Sequence, residues 1–268
     1  MKVSLIQMNS QENKPANLKR AAELIAAAVA DDGPDMVVLP EMFTCLTENA
    51  EDRIANAETV PGGETYKLLS DLARRHRVFV HGGSLLEADG DHVYNTTVAF
   101  DAKGQELARY RKIHLFDVIT PDGKEYRESA SISHGSEVVT YDANAARVGC
   151  TICYDLRFPE LYQALAKKDA TVIMVPAAFT LMTGKDHWEV LLRARAIETE
   201  TYVLAPGQCG TYANGRRANY GHSLIVDPWG HVVAKASDTE GYITARLDLA
   251  YLQSVRTKIP VAQHKVLV

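Results

Sequence analysis

Residues 36–41 read Met36-Val37-Val38-Leu39-Pro40-Glu41, and the fold is decided there. An unbroken apolar run makes both faces of an extended segment hydrophobic, the mark of a strand covered on both sides. Pro40 has no N–H to give, so it stops the ladder and turns the chain out. The construction recurs at Val175-Pro176, after the apolar run from Ala170, and at Ala205-Pro206, after Tyr202. Working outward, Val3–Met8, Val78–Val80, Val93–Phe100, Glu106–Tyr110, Val148–Ile152, His222–Val226, His231–Lys235 and Tyr242–Leu247 also read as strands. Between them apolar residues recur at helical spacing: Leu18 to Val29, Leu68 to Ala73, Phe158 to Lys167, Asp186 to Glu200 and Leu249 to Arg256. The alternation predicts an α/β fold with strands inside and helices outside, in more strands than one small sheet holds, hence two stacked sheets. No linker, composition break or repeat interrupts it, so residues 1–268 read as one domain.

Composition narrows the function. The chain of 268 residues is 46% hydrophobic and 24% charged, with a formal net charge of -5. That is an ordinary soluble composition. Without a basic run it predicts no nucleic-acid or anionic-membrane partner. The longest apolar stretch, Ala170–Phe179, is too short to span a bilayer and contains Pro176. Met1-Lys2 leads into too short an apolar run for a secretory signal. The four cysteines, Cys45, Cys150, Cys153 and Cys209, are too sparse for a disulfide scaffold. A cytoplasmic protein with reduced thiols is expected. There the glycosylation pattern Asn95-Thr96-Thr97 would be idle.

In α/β sheets, sites form beyond the carboxyl ends of strands. Glu41 follows one such end, Cys153 another, and Lys112 follows the strand through Tyr110. A thiol with a pKa of about 8.5 is a poor nucleophile at neutral pH until a base takes its proton. A glutamate can be that base, and a lysine can keep it charged and stabilise an oxyanion. Each residue also has an ordinary reading: carboxylates cap strand ends, and a single Cys is commonly a small core residue.

The surrounding sequences favour the chemistry. Leu39-Pro40-Glu41, Tyr110-Arg111-Lys112-Ile113-His114-Leu115-Phe116 and Cys153-Tyr154-Asp155-Leu156-Arg157-Phe158-Pro159-Glu160 occur in that order. They resemble the ordered motifs of the nitrilase, or carbon–nitrogen hydrolase, superfamily, and the resemblance runs from Met1 to about Gln263. It implies a four-layer αββα sandwich without cofactor or metal. It implies Glu41 as general base, Lys112 as oxyanion-stabilising ammonium, Cys153 as nucleophile and Glu128 as a supporting second glutamate. Acyl transfer would run through a thioester, with the Tyr154 backbone N–H as a second oxyanion donor.

The segment Gly184–Thr199 resembles the branch that hydrolyses deaminated glutathione to 2-oxoglutarate and cysteinylglycine, and ω-amidases share much of it. The same triad also serves carbamoyl and nitrile substrates. A small amide bearing carboxylates needs cations or N–H donors, for which Arg157, Arg216 and Arg217 are candidates. Phe179, Thr180 and Met182 follow the Pro176 exit and are candidates for the acyl pocket. On the helix from Asp186, Val190, Ala194 and Ile197 form one apolar face and Trp188, Leu191 and Leu192 another, so both are expected to be covered. Arg195 and Glu198 stand at pairing distance. The resemblance implies a homodimer or higher homo-oligomer.

Rival readings are weaker. In Cys150-Thr151-Ile152-Cys153 the two inner residues continue a strand, which points the thiols to opposite faces and argues against a redox pair. His187-Trp188-Glu189 follows that Cys pair, the reverse of the zinc-deaminase order. A Cys–His hydrolase is unnecessary once Glu41 is the base, leaving His114 and His187 as structural residues. A binding or assembly protein would have no need of Glu41, Lys112 and Cys153 together. No phosphate-binding or serine-hydrolase motif is present.

Overall fold

The computed structural model describes residues 1–266. The chain runs β1 (Lys2–Gln7), α1 (Lys14–Asp32), β2 (Met36–Val38), α2 (Ala50–Ala55), α3 (Glu64–His76), β3 (Phe79–His81), β4 (Leu85–Asp89), β5 (His92–Phe100) and β6 (Glu106–Arg111). A hairpin, β7 (Asp117–Ile119) and β8 (Glu125–Arg127), precedes β9 (Thr140–Ala143), β10 (Ala146–Cys150), α4 (Pro159–Lys167), β11 (Val172–Met174), α5 (Leu181–Thr199) and β12 (Tyr202–Ala205). A second hairpin, β13 (Cys209–Tyr212) and β14 (Arg217–Tyr220), leads to β15 (Leu224–Val226), β16 (Val232–Lys235), β17 (Gly241–Arg246) and α6 (Leu249–Lys258).

Two large sheets result. One has seven strands in the order β17-β1-β2-β3-β5-β4, with β6 on β5; the other has six, β16-β15-β12-β11-β10-β9. β1, β2 and β3 are parallel, as are β10, β11 and β12. Residues of β2 alternate as a strand covered on both faces must. Met36 and Val38 enter the core between the sheets with Val148 and Ile173, while Val37 and Leu39 pack with Leu18, Ile25, Leu69 and Leu72 of α1 and α3. On the far side α5 packs against β12 and β15 and α4 against α5, completing the expected αββα layering. Among the described residues, no helix is long and apolar enough to cross a membrane.

Polar bonds tie the sheets together. The Tyr110 hydroxyl donates to Asp155 Oδ2 at 2.6 Å, and Tyr141 pairs with His81 Nδ1 at 3.0 Å. His81 is fully buried and its Nε2 has no partner. Burial drives its pKa from 6.5 down to about 3, so it stays neutral in the fold.

The structure differs from the sequence reading at several points. The fifth helix begins at Leu181 rather than Asp186. Gly184 lies inside it because the Tyr220 ring packs where a side chain would be: a Cβ there would stand 2.3 Å from Tyr220 Cβ. The face expected to be covered through Val190 and Ile197 is bare in the single chain, at 67% and 50% exposure. Arg195 and Glu198 do pair, at 2.9 Å. The strands β4, β7, β8, β9, β13 and β14 and the helix α2 lacked a periodic signal long enough to read.

Two stability predictions follow from these contacts. Gly83 has φ 56°, and a Cβ there would lie 2.1 Å from the Pro40 carbonyl oxygen. Gly83→Ala therefore pushes on the β2 exit, and thermal unfolding should show a loss of about 2 kcal/mol or more. His81 titrates near 6.5 when unfolded, so below that pH the unfolded chain binds a proton that the fold refuses. Stability should fall as pH drops from 6.5 towards 3, by up to about 1.4 kcal/mol per pH unit from this group. His81→Gln should flatten that slope in denaturant titrations at pH 7, 5 and 4; an unchanged slope would exclude His81 as its source.

Candidate active site

Glu41 leaves β2 through Pro40 into a turn whose next residue, Met42, adopts φ 51°. Met42 N–H donates to Ser84 Oγ at 2.9 Å, and Gln208 Nε2 donates to the Glu41 carbonyl at 3.0 Å. The backbone is thus held from both sheets. The side chain is held as firmly. Glu41 Oε2 accepts Ala178 N–H at 2.7 Å; Oε1 accepts Lys112 Nζ and Asn95 Nδ2, each at 2.9 Å.

Lys112 follows β6, and its N–H continues the ladder to the Asn95 carbonyl at 2.9 Å. Its ammonium is buried and also meets Glu128, at 2.8 Å to Oε2 and 3.1 Å to Oε1. Glu128 is fixed in turn, with Oε2 accepting Phe116 N–H at 2.7 Å. Burial alone would strip Lys112 of its proton. The carboxylates of Glu128 and Glu41 outweigh that and hold its pKa well above the usual lysine value.

Cys153 opens a 3-10 turn, Cys153–Arg157, after β10. Its φ of 47° is left-handed, a strained conformation for a side chain other than glycine. Four donors converge on the fully buried Asp155 to over-determine it: Ile152 N–H at 2.8 Å, His114 N–H at 3.0 Å, His114 Nδ1 at 2.7 Å and the Tyr110 hydroxyl at 2.6 Å. Cys153 N–H donates to the Pro176 carbonyl at 2.9 Å, and Arg195 Nε donates to Leu156 O at 2.9 Å. The N–H of Tyr154, in the first turn of this helix, has no acceptor within it. Burial first, then the Glu41 carboxylate, push the thiol pKa well up, while Lys112 pulls it down. The proton is therefore hard to lose to water, and the Glu41 carboxylate shares the cleft with it. Cys150, buried in the inter-sheet core, is a free thiol pushed up to about 12.

These groups share one cleft, with Glu41, Lys112, Glu128, Cys153 and Tyr154 on its floor. Met42, Leu46, Phe116, Ile132 and Phe179 give it apolar walls, and the hairpins contribute Tyr126, Arg127 and Tyr212. Of the acyl-pocket candidates, Phe179 and Thr180 line it; Met182 lines a neighbouring cavity with Thr120 and Lys124. Arg157 stacks over the Phe179 ring, 5.4 Å from its centroid, outside the cleft lining. Arg216 Nε donates to Glu48 at 2.7 Å, and Arg217 Nε donates to the other oxygen of the same carboxylate. Glu48 is held below its usual pKa: burial opposes that, and the two arginines outweigh it. Neither arginine touches the floor. Sequence reasoning missed Asn95, which donates to Glu41 and, at 3.1 Å, to Glu128. It missed Arg53, whose helix α2 gave no periodic signal; Cys45, which the sequence leaves open between core and site, lines the wall. Among the described residues, no group of three or more His, Cys, Asp or Glu side chains is arranged to hold a metal ion.

A buried thiol, a carboxylate and an ammonium in one apolar cleft are equipped for acyl transfer, and comparison with known proteins agrees. The family model described as carbon-nitrogen hydrolase matches residues 2–257. The chain is 42% identical over 268 residues to a deaminated glutathione amidase of Synechocystis, covering 98% of this chain and 97% of the relative. It is 40% identical over 270 residues to omega-amidase NIT2-A of Xenopus laevis, covering 98% and 94%. Its fold superposes on Nit3 of Saccharomyces cerevisiae, a member of branch 10 of the nitrilase superfamily, with a TM-score of 0.90 at 33% identity, covering 100% of this chain and 97% of that one. The chain belongs to the carbon–nitrogen hydrolase family and is a hydrolase of linear amide carbon–nitrogen bonds.

Proposed function

We propose that the chain hydrolyses deaminated glutathione to 2-oxoglutarate and cysteinylglycine through a thioester on Cys153. The observation that carries the chemistry is the Lys112 ammonium, bonded at 2.9 Å to Glu41 and at 2.8 Å to Glu128, in the cleft that holds the Cys153 thiol. Full-length relatives named as deaminated glutathione amidases support the substrate.

Each step balances. Glu41 takes the thiol proton and the thiolate adds to the amide carbonyl. The oxyanion forms within reach of Lys112 Nζ and the Tyr154 N–H. Glu41 then gives its proton to the departing amine as the C–N bond breaks, leaving an acyl-thioester. Water enters, loses a proton to Glu41 and adds to the thioester. The thiolate departs as the acid forms and regains its proton from Glu41. Glu128 contributes no proton. Its part is to keep Lys112 an ammonium while Glu41 is protonated, when one of the two carboxylates has lost its charge.

The exposed apolar residues Val190, Ile197, Trp229 and Val233 favour a homodimer that covers this face. Four unpaired, buried thiols are consistent with residence in a reducing cytoplasm.

Cys153→Ala should abolish turnover while the thermal midpoint stays within a few degrees; full activity would end the mechanism. Glu128→Gln should lower kcat by about 10²–10³ with little change in KM, since Glu128 acts on Lys112 and not on substrate. Steady-state rates on deaminated glutathione, α-ketoglutaramate and an N-carbamoyl amino acid should favour the first in kcat/KM by about a hundredfold. Preference for another amide would keep the chemistry and overturn the substrate.

A further inference from the structure

Beside the cleft lies a second chamber whose lining includes none of Glu41, Lys112 or Cys153. Thr47, Arg53, Tyr126, Arg127 and Tyr212 line both spaces. A substrate that uses both must extend past the inner space on one side of its scissile bond.

The cations along this path differ in their pairing. Lys112 is committed to Glu41 and Glu128, Arg127 bonds Glu125 at 2.6 Å, and Arg217 bonds Glu48. Arg53 stands apart. Among the described residues it is the one cation lining the two chambers with no carboxylate in ion-pair contact. Its guanidinium makes only long bonds, at 3.3 Å to the Thr47 carbonyl and 3.3 Å to Ser131 Oγ. A half-buried guanidinium with neutral, distant partners offers its planar fork to an anion from outside.

We infer that Arg53 is the specificity residue for the leaving group: it receives a terminal carboxylate on the amine side of the scissile bond. This rests on the substrate reading above and assigns the part of the site that distinguishes a peptide-like amide from a primary one. The alternative, that Arg53 holds the acyl carboxylate, would make it matter equally for every amide with that acyl group.

Two amides with a common acyl group separate these cases. Deaminated glutathione leaves as cysteinylglycine, whereas α-ketoglutaramate leaves as ammonia. Arg53→Gln should lower kcat/KM on deaminated glutathione by about 10- to 100-fold, chiefly through KM. Its loss on α-ketoglutaramate should be at least about tenfold smaller. Arg53→Lys should recover part of the difference. A substrate-side deletion tests the idea in the unaltered protein: deaminated glutathione with its glycine carboxylate converted to a carboxamide should be a poorer substrate by a similar factor, and Arg53→Gln should cost it little more. Equal losses on both amides, no loss on either, or a carboxamide as good as the acid would each overturn the assignment while leaving the substrate intact. If the unaltered protein turns over neither amide, the substrate reading fails and this inference with it.

Discussion

Dehydrating an ammonium is costly, and a lysine buried without partners would be neutral. Lys112 escapes that fate because Glu41 and Glu128 meet it at 2.9 and 2.8 Å where its ammonium is buried. The surrounding construction follows from this constraint. Two carboxylates around one ammonium leave a single negative charge, and Asn95 and the N–H groups of Ala178 and Phe116 are aimed at it. In the proposed cycle the thiol proton passes to Glu41 without changing the total charge of Glu41, Glu128, Lys112 and Cys153 taken together. A thiol whose proton is hard to lose to bulk solvent is therefore no obstacle, since the transfer is internal.

The second constraint is backbone geometry. Cys153 occupies a left-handed turn that it would not adopt unaided, and the cost is met by collecting donors on Asp155. His114, within the sequence motif around Lys112, supplies two of those bonds through its N–H and its ring. The motif thus serves two ends: Lys112 faces the cleft while its neighbour braces the turn that carries Cys153. Arg195 braces the same turn from α5, which ties a helix on the outer layer to the cleft.

Much of this was legible in the chain. Glu41, Lys112 and Cys153 are announced by contiguous motifs at strand ends, and the layers by apolar runs such as Met36–Leu39. Other features left no local trace. Asn95 sits mid-strand among polar residues, where inward and outward positions read alike until the register with β6 is known. Arg53 belongs to a single turn-and-a-half of helix. The hairpins that wall the cleft have strands of three or four residues, too short for alternation to register. Gly184, with the polar Thr183, Lys185 and Asp186 around it, hid the start of α5, because the sequence does not reveal the Tyr220 ring that makes glycine necessary there. The arginines singled out by chemistry, Arg216 and Arg217, were found on Glu48, a pairing across well over a hundred residues that local pattern does not encode.

The tripeptide Asn95-Thr96-Thr97 carries one more consequence. All three residues are buried, and the Asn95 amide nitrogen is the atom that donates to both Glu41 and Glu128. Oligosaccharide transfer acts on nascent chains as they enter a secretory lumen, before this strand is enclosed. A sugar on that nitrogen would remove a donor from the carboxylate pair and wedge the strand away from its neighbours. The chain is therefore unsuited to export through a glycosylating compartment. Recombinant material routed that way would emerge misassembled at its centre, however well its remaining surface folds.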